Sequence, residues 1–137
     1  MPISVMSDDT RPLVTAVATG TVTFAELADF IRNEQAGDRR RAPVLLDASA
    51  ANTTMSGANA ERLADDIRTA ITHIGPHGPL AIIAVDDILF AVLRICQMFC
   101  EQRHILFRVC RRYQSAERWL GGALEQPDDD AAPTIIH

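Results

Sequence analysis

One short segment of this sequence is continuously apolar: residues 80–85 read Leu-Ala-Ile-Ile-Ala-Val. Gly78 and Pro79 precede it, and Asp86 and Asp87 follow it, so residues that interrupt regular structure bound it on both sides. Such a run is typical of a strand that is covered on both faces, as in a parallel sheet. Because parallel strands need a crossover connection, usually a helix, the rest of the chain should alternate between strands and helices.

The segments on either side of residues 80–85 show this alternation. Apolar or alternating patterns predict strands at residues 3–6, 13–18, 44–46 and 105–109. Amphipathic patterns predict helices after Thr23, after Ser56 and after Asp86 or Asp87, and a short last helix at residues 115–120 that Gly121 and Gly122 close. The order ββαβαβαβα predicts an α/β fold that consists of an N-terminal hairpin followed by βαβαβα. About five mostly parallel strands would carry helices on the faces of the sheet.

Length and charge limit the organisation and the partners of the chain. Its 137 residues suit one domain, which we predict at residues 1–121, followed by an acidic, flexible tail at residues 122–137. All 13 basic residues are arginines, and four of the 18 acidic residues lie beyond residue 121, which leaves a nearly neutral body of 13 against 14 charges. A neutral body argues against nucleic acid as a partner. Without a signal-peptide pattern or an apolar run of membrane length, we expect a cytoplasmic protein.

The cysteines raise the question of a metal site. Cys96, Cys100 and Cys110 are an odd set in apolar surroundings, which predicts buried reduced thiols. Cys96, Cys100 and His104 have the spacing i, i+4, i+8 and are zinc ligands in type, but the apolar neighbours favour core packing. The sequence has no nucleophile elbow and no glycine-rich phosphate loop. We therefore predict no metal, no cofactor, no catalytic residues and no enzymatic activity.

Short polar side chains follow the predicted third strand. They are Asp47, Ser49, Asn52, Thr54 and Ser56. In α/β folds, the carboxyl end of a strand and the start of the next helix form an edge where ligands bind, so we predict a recognition loop here. Two simpler roles stay open. Asp47 can accept backbone N–H bonds in the following turn, and Ser56 can cap the second helix.

The third predicted helix is more apolar than contact with a sheet requires. Its polar stripe is narrow and consists of Arg94, Gln97 and Glu101, whereas a helix on a sheet needs an apolar stripe of little more than about 100°. The surplus side chains are Leu89, Phe90, Leu93 and Cys100. We expect a second subunit or an apolar ligand to cover them.

A set of residues spread over the chain matches a known pattern. The set comprises Gly20, Thr23, Glu26, Leu27, Leu46, Asp47, residues 81–85, Val109, Ala116, Trp119, Leu120 and Gly121. With these residues, roughly residues 3–121 resemble the SpoIIAA-like family, whose fold is shared by STAS domains (sulfate transporters and anti-sigma factor antagonists) and CRAL-TRIO lipid carriers. The resemblance implies a small regulatory or ligand-binding module without chemistry of its own.

The resemblance also bears on Ser56. Anti-sigma factor antagonists of the STAS type carry a phosphorylatable serine in an Asp-Ser-Ser-Gly motif at the start of the second helix. The corresponding residues 54–57 read Thr-Met-Ser-Gly, so Ser56 falls near the acceptor position while Met55 replaces the acidic residue. We therefore interpret Ser56 as a helix cap in preference to a phosphorylation site.

Two hypotheses for the function follow. The first is a non-enzymatic STAS-like regulatory module that binds a protein partner and forms a homodimer through the third helix. The alternative is a carrier or sensor of a small apolar, lipid-like ligand between the second and third helices, where Leu63, Ile67, Phe90 and Leu93 would line a pocket. Neither hypothesis involves nucleic acid or a transmembrane segment.

Overall fold

The computed structural model describes residues 3–7, 13–36, 42–74 and 78–125 of the chain. Five strands lie in these residues: β1 (Ile3–Ser7), β2 (Val14–Val22), β3 (Val44–Thr53), β4 (Leu80–Ala84) and β5 (Phe107–Cys110). The four helices are α1 (Phe24–Ala36), α2 (Gly57–Ile74), α3 (Asp87–Gln102) and α4 (Tyr113–Glu125). Most of the predicted tail, residues 126–137, lies outside the described residues.

The strands form one sheet in the order β1-β2-β3-β4-β5. β1 pairs with β2 in antiparallel fashion, and the three following pairs are parallel. Right-handed crossovers between strands added in one direction place α1, α2 and α3 on the same face of the sheet, and α4 covers part of the other face. The predicted α/β fold, with its N-terminal hairpin and five mostly parallel strands, is confirmed.

Alternate residues of β4 contribute to two separate cores. Leu80 and Ile82 belong to the larger core under α1, α2 and α3, whereas Ala81 packs with Trp119 and Leu120 of α4. All five residues of β4 are buried, which confirms the prediction of a strand covered on both faces.

β2 and β3 extend further than their sequences predict. β2 continues to Val22 and β3 to Thr53. The pairing of β3 with β4 ends where Ala48 lies opposite Ala84, whereas the pairing of β3 with β2 continues to Thr53. A register shift interrupts the β2–β3 ladder between Val17 and Thr19. Gly20, which follows, has a φ angle of 70°, a left-handed value that glycine adopts without the steric penalty of a side chain.

Two helices begin at the caps that the sequence predicts. At α1, the N–H of Glu26 donates to the Thr23 hydroxyl (3.2 Å), and the N–H of Thr23 donates to the Glu26 carboxylate (2.9 Å). At α3, the carboxylate of Asp86 accepts the N–H of Leu89 (2.9 Å). Both caps are confirmed, and they define where the helices start relative to the sheet.

The last helix is longer than predicted. α4 runs from Tyr113 to Glu125 and passes through Gly121 and Gly122, so the expected stop at these glycines is wrong. Each glycine in a helix interior costs about 1 kcal/mol. Burial of the large Trp119 side chain, which is only 6% exposed, contributes more than that and holds the helix on the sheet.

Candidate functional site

The polar residues predicted as a recognition loop lie on two different elements. Asp47, Ser49 and Asn52 belong to β3, whereas Thr54 and Ser56 belong to the connection to α2. The prediction of a single loop is therefore wrong, because β3 continues beside the long β2. A recognition role for this edge stays a prediction.

Three of these side chains form hydrogen bonds within β2 and β3. The carboxylate of Asp47 accepts the backbone N–H of Ser49 (3.0 Å) and its hydroxyl (2.7 Å), which is the simpler role considered for it. The Asn52 side-chain oxygen accepts the Thr21 hydroxyl across the β2–β3 pair (2.8 Å). These bonds stabilise the extended part of β2 and β3 and account for the polar sequence there.

Ser56 occupies the cap position of α2, but its hydroxyl is not the acceptor. The side-chain oxygen of Asn59 accepts the N–H of Ser56 (3.0 Å), and the Ser56 hydroxyl donates to the same oxygen (3.3 Å). The Ser56 carbonyl accepts the first helical bond, from Ala60 (3.2 Å). Ser56 therefore starts the helix as predicted, with Asn59 supplying the reciprocal bond of a capping box.

Three of the four side chains predicted as surplus surface on α3 are core residues. Leu89 and Leu93 are 1% exposed and Cys100 is 0% exposed. The expectation that they form an exposed surface for a second subunit is wrong, because α3 packs against the sheet and α2 and buries a wider face than a minimal stripe. Only Phe90 is partly accessible, and the Arg111 guanidinium lies 4.0 Å from the centre of its ring.

Gln97 differs from Arg94 and Glu101, the other residues of the predicted polar stripe, which are exposed. It is 5% exposed. Its side-chain oxygen accepts the backbone N–H of Val109 in β5 (3.0 Å), and its amide nitrogen donates to the Glu101 carboxylate (3.2 Å). β5 is an edge strand, so Gln97 supplies a partner to backbone that no further strand pairs.

A different set of apolar side chains is exposed on α3. Ile88 is 60% exposed and Met98 is 58% exposed, while Ala91 is exposed and Ile95 is half-buried. These four residues, here called the α3 stripe, follow one another at intervals of three, four and three positions. This is the a/d spacing of helices that pack against other helices.

Five arginines surround a cleft at the carboxyl end of β5. The cleft has a volume of about 420 Å³ and lies where β5, α3 and the start of α4 meet. The arginines are Arg94, Arg108, Arg111, Arg112 and Arg118, and Ser115 also lines the space. We call this site the arginine cleft.

The sequence prediction missed the arginine cleft, although a signal for it was present. Four of the five arginines fall within residues 108–118, where a strand ends and a helix begins. The charge balance of the whole body, which is close to neutral, obscured this local concentration. A count over short windows would have detected it, because the carboxyl edge of a parallel sheet is where ligands bind.

The cysteines are buried as predicted. Cys96 and Cys100 lie on successive turns of α3, with their sulfur atoms 3.9 Å apart. The hydrogen bond with Cys100 and the burial of the site raise the pKa of the Cys96 thiol far above its ordinary value. The thiol therefore stays protonated at neutral pH and is a poor nucleophile.

His104 does not join these cysteines. Its side chain is exposed, and its backbone adopts φ 60° in the turn that ends α3. In that turn the N–H of Ile105 donates to the Cys100 carbonyl (2.8 Å), and the N–H of His104 donates to the Glu101 carbonyl (3.1 Å). This is the bonding of a Schellman motif. Among the described residues, no three His, Cys, Asp or Glu side chains converge as a metal site would require.

An apolar cavity lies between the sheet and α1 and α3. Its volume is about 10 Å³, close to the space for one water molecule. Leu93, one of the residues predicted to line a ligand pocket, borders this cavity, while Leu63 and Ile67 are buried in the same core. None of the described helices combines the length and the apolar character that crossing a bilayer requires.

Comparison with known proteins finds matches among solved structures. No protein-family model and no curated protein matches the chain. A similar solved structure is that of an uncharacterised protein of the DUF3478 family with a SpoIIAA-like fold, from Shewanella loihica PV-4. The match covers 86% of this chain and 91% of that one, with 18% sequence identity and a TM-score of 0.49. The α/β architecture of this chain therefore rests on its own element order and sheet topology.

Proposed function

We propose that this chain is a non-enzymatic, STAS-like interaction module that binds a partner protein and forms a weak homodimer through the α3 stripe. The observation that supports the proposal is the exposure of Ile88 and Met98 in a row with helix-packing spacing. A two-fold symmetric pair would place each stripe against its copy, so that each protomer covers the apolar side chains of the other.

The exposed area sets how tightly such a pair can bind. Full burial of a large apolar side chain contributes about 1.5–3 kcal/mol. Ile88 is 60% exposed and Met98 is 58% exposed, so burial of each in a dimer would contribute roughly 1–2 kcal/mol. A dimer would bury four such side chains, which together contribute roughly 4–7 kcal/mol. Association itself costs at least about 4 kcal/mol. The homodimer should therefore form only at high protein concentration, and a partner helix with a larger apolar face would bind better.

Sedimentation equilibrium of the purified chain tests the homodimer, with Met98→Asp as the disruptive variant. Ala25→Asp, which introduces the same charge at an exposed position of α1, is the matched control. We expect concentration-dependent association of the wild type and of Ala25→Asp, and its loss in Met98→Asp. A wild type that stays monomeric up to about 1 mM, or association that Met98→Asp leaves unchanged, contradicts the homodimer.

The same three proteins test the partner. A protein that the wild type and Ala25→Asp retain, and that Met98→Asp does not, binds through the α3 stripe. Leu93→Asp is unsuitable for either experiment, because Leu93 is buried and a carboxylate there would disrupt the core.

A carrier of a small apolar ligand is the second candidate. The observation that favours it is the cavity at Leu93, whose eight lining residues are all apolar. Its volume of about 10 Å³ cannot hold an acyl chain, so a ligand would require α3 to move away from the sheet. We therefore rank it after the interaction module.

A further inference from the structure

We propose that the arginine cleft binds a phosphoryl group. The proposal is independent of the α3 stripe and rests on three features: the arrangement of the guanidinium groups, the start of α4 and the size of the cleft.

Two of the five arginines are held in place by the protein. Arg111 donates to the carbonyl of Val85 (2.7 Å) and lies 3.0 Å from the Asp87 carboxylate. The guanidinium of Arg108 lies over the ring of Trp119, 5.7 Å from its centre. These contacts fix two guanidinium groups beside the cleft before any ligand arrives, which lowers the ordering cost of binding.

The other three arginines extend into solvent around the same space. Arg94, Arg112 and Arg118 are exposed, and no carboxylate of the described residues forms an ion pair with any of them. Of the residues that line the cleft, none is acidic. Three neighbouring positive charges that have no ion-pair partner in the described part of the chain attract an anion from solution.

The start of α4 adds donors to the same place. α4 begins at Tyr113, and its first backbone bond runs from Ala116 to the Arg112 carbonyl (3.3 Å). Within the described residues, no side chain caps this end, in contrast to the Thr23 cap of α1 and the Asp86 cap of α3. Uncapped N–H groups at the start of a helix, next to arginines, favour a bound anion.

The chemistry of the cleft favours a phosphoryl dianion over a single carboxylate. A phosphoryl group carries nearly two charges and three acceptor oxygens, which suits several guanidinium forks at once. The space of about 420 Å³ beside the arginines is open to solvent, so it admits a ligand larger than a single phosphoryl group. Two sources supply this chemistry: a small phosphorylated molecule, or a phosphorylated side chain of another protein.

Titration of the full chain with inorganic pyrophosphate and with a phosphoserine peptide tests the proposal. Trp119 is the only tryptophan in the chain and lies beside Arg108, so its fluorescence reports on the cleft. Isothermal titration calorimetry repeats each titration, so that binding without a change of fluorescence is also detected. The variant is Arg112→Gln with Arg118→Gln. The matched control removes the same charge from α1 and α2, as Arg32→Gln with Arg62→Gln.

We expect saturable binding at low ionic strength that the cleft variant weakens at least about tenfold and the control variant leaves within about twofold. Pyrophosphate binding without phosphopeptide binding identifies a small molecule as the source. Phosphopeptide binding that the unphosphorylated peptide does not show identifies a modified protein. The proposal is overturned if neither probe binds up to about 10 mM, or if the cleft and control variants lose affinity equally.

Discussion

The most informative single position in this fold is Gln97, the buried amide that joins α3 to the edge strand β5. Its oxygen accepts the N–H of Val109 (3.0 Å), and its nitrogen donates to Glu101 (3.2 Å). We predict that Gln97→Met destabilises the protein. Methionine has a similar length and is flexible enough to fill the same space, so the change removes the hydrogen bonds with little change of volume.

The size of the effect follows from what the substitution leaves behind. The N–H of Val109 would stay buried without an acceptor, which costs about 1–3 kcal/mol. The methionine side chain regains part of this by burying apolar surface, so we expect a net loss of about 1–2 kcal/mol. For a chain of 137 residues, each kcal/mol lowers Tm by roughly 3–5 °C, so the expected decrease is roughly 3–10 °C.

Thermal unfolding followed by circular dichroism measures the decrease, and Gln102→Met is the control. Gln102 is exposed on the same helix, so this variant makes the same chemical change without removing a buried bond. Amide hydrogen exchange adds a local measurement, because the N–H of Val109 should exchange faster in Gln97→Met than in the wild type. If both variants melt within about 1 °C of each other and Val109 keeps its protection, the reasoning about the buried bond is refuted.

Two further predictions concern the thiols and the end of α3. Because the pKa of Cys96 is raised in the folded state, the native protein should resist iodoacetamide at pH 8 and react once unfolded. The unfolded thiol loses its proton more readily, so its contribution to stability is present below pH 9 and falls as the pH rises further. Rapid alkylation of Cys96 in the native protein would contradict the prediction. His104 adopts a left-handed conformation, which costs residues other than glycine about 1 kcal/mol. His104→Gly should therefore raise Tm by a few degrees, and His104→Val should lower it. Equal Tm values for the wild type and the two variants would contradict this prediction.

The features that the sequence predicted correctly depend on local signals. The apolar segment at residues 80–85 specified β4, because its length and its boundaries leave few other structures. Thr23 with Glu26, and Asp86, marked two helix starts through residues only three positions apart. Once these elements are placed, their alternation and the handedness of crossovers determine the parallel part of the sheet.

The features that were predicted wrongly depend on tertiary contacts. Residues 48–53, Ala-Ser-Ala-Ala-Asn-Thr, have low strand propensity, and they extend β3 only because β2 pairs with them. α4 passes through Gly121 and Gly122 because Trp119 anchors it on the sheet. The local sequence of a segment does not indicate whether it pairs with a distant strand or packs on another element.

α3 explains why the candidate sites in particular were misplaced. Its amphipathic pattern indicates that most of the helix is apolar, but not how deeply the helix sits or which stripe remains outside. In the structure, one side with Leu89 and Leu93 packs on the sheet, and the opposite stripe with Ile88 and Met98 is exposed.

The remaining side of α3 contributes Arg94 to the arginine cleft, together with residues from β5 and α4 that lie next to it only in the fold. The sequence alone therefore does not tell whether a polar residue on such a helix is exposed or buried. Arg94 and Gln97 are only three positions apart. Arg94 borders an open cleft, whereas Gln97 accepts a buried N–H of the edge strand β5. The two proposed surfaces share a helix but not their test residues, so the substitutions at Met98 and at Arg112 and Arg118 examine them separately.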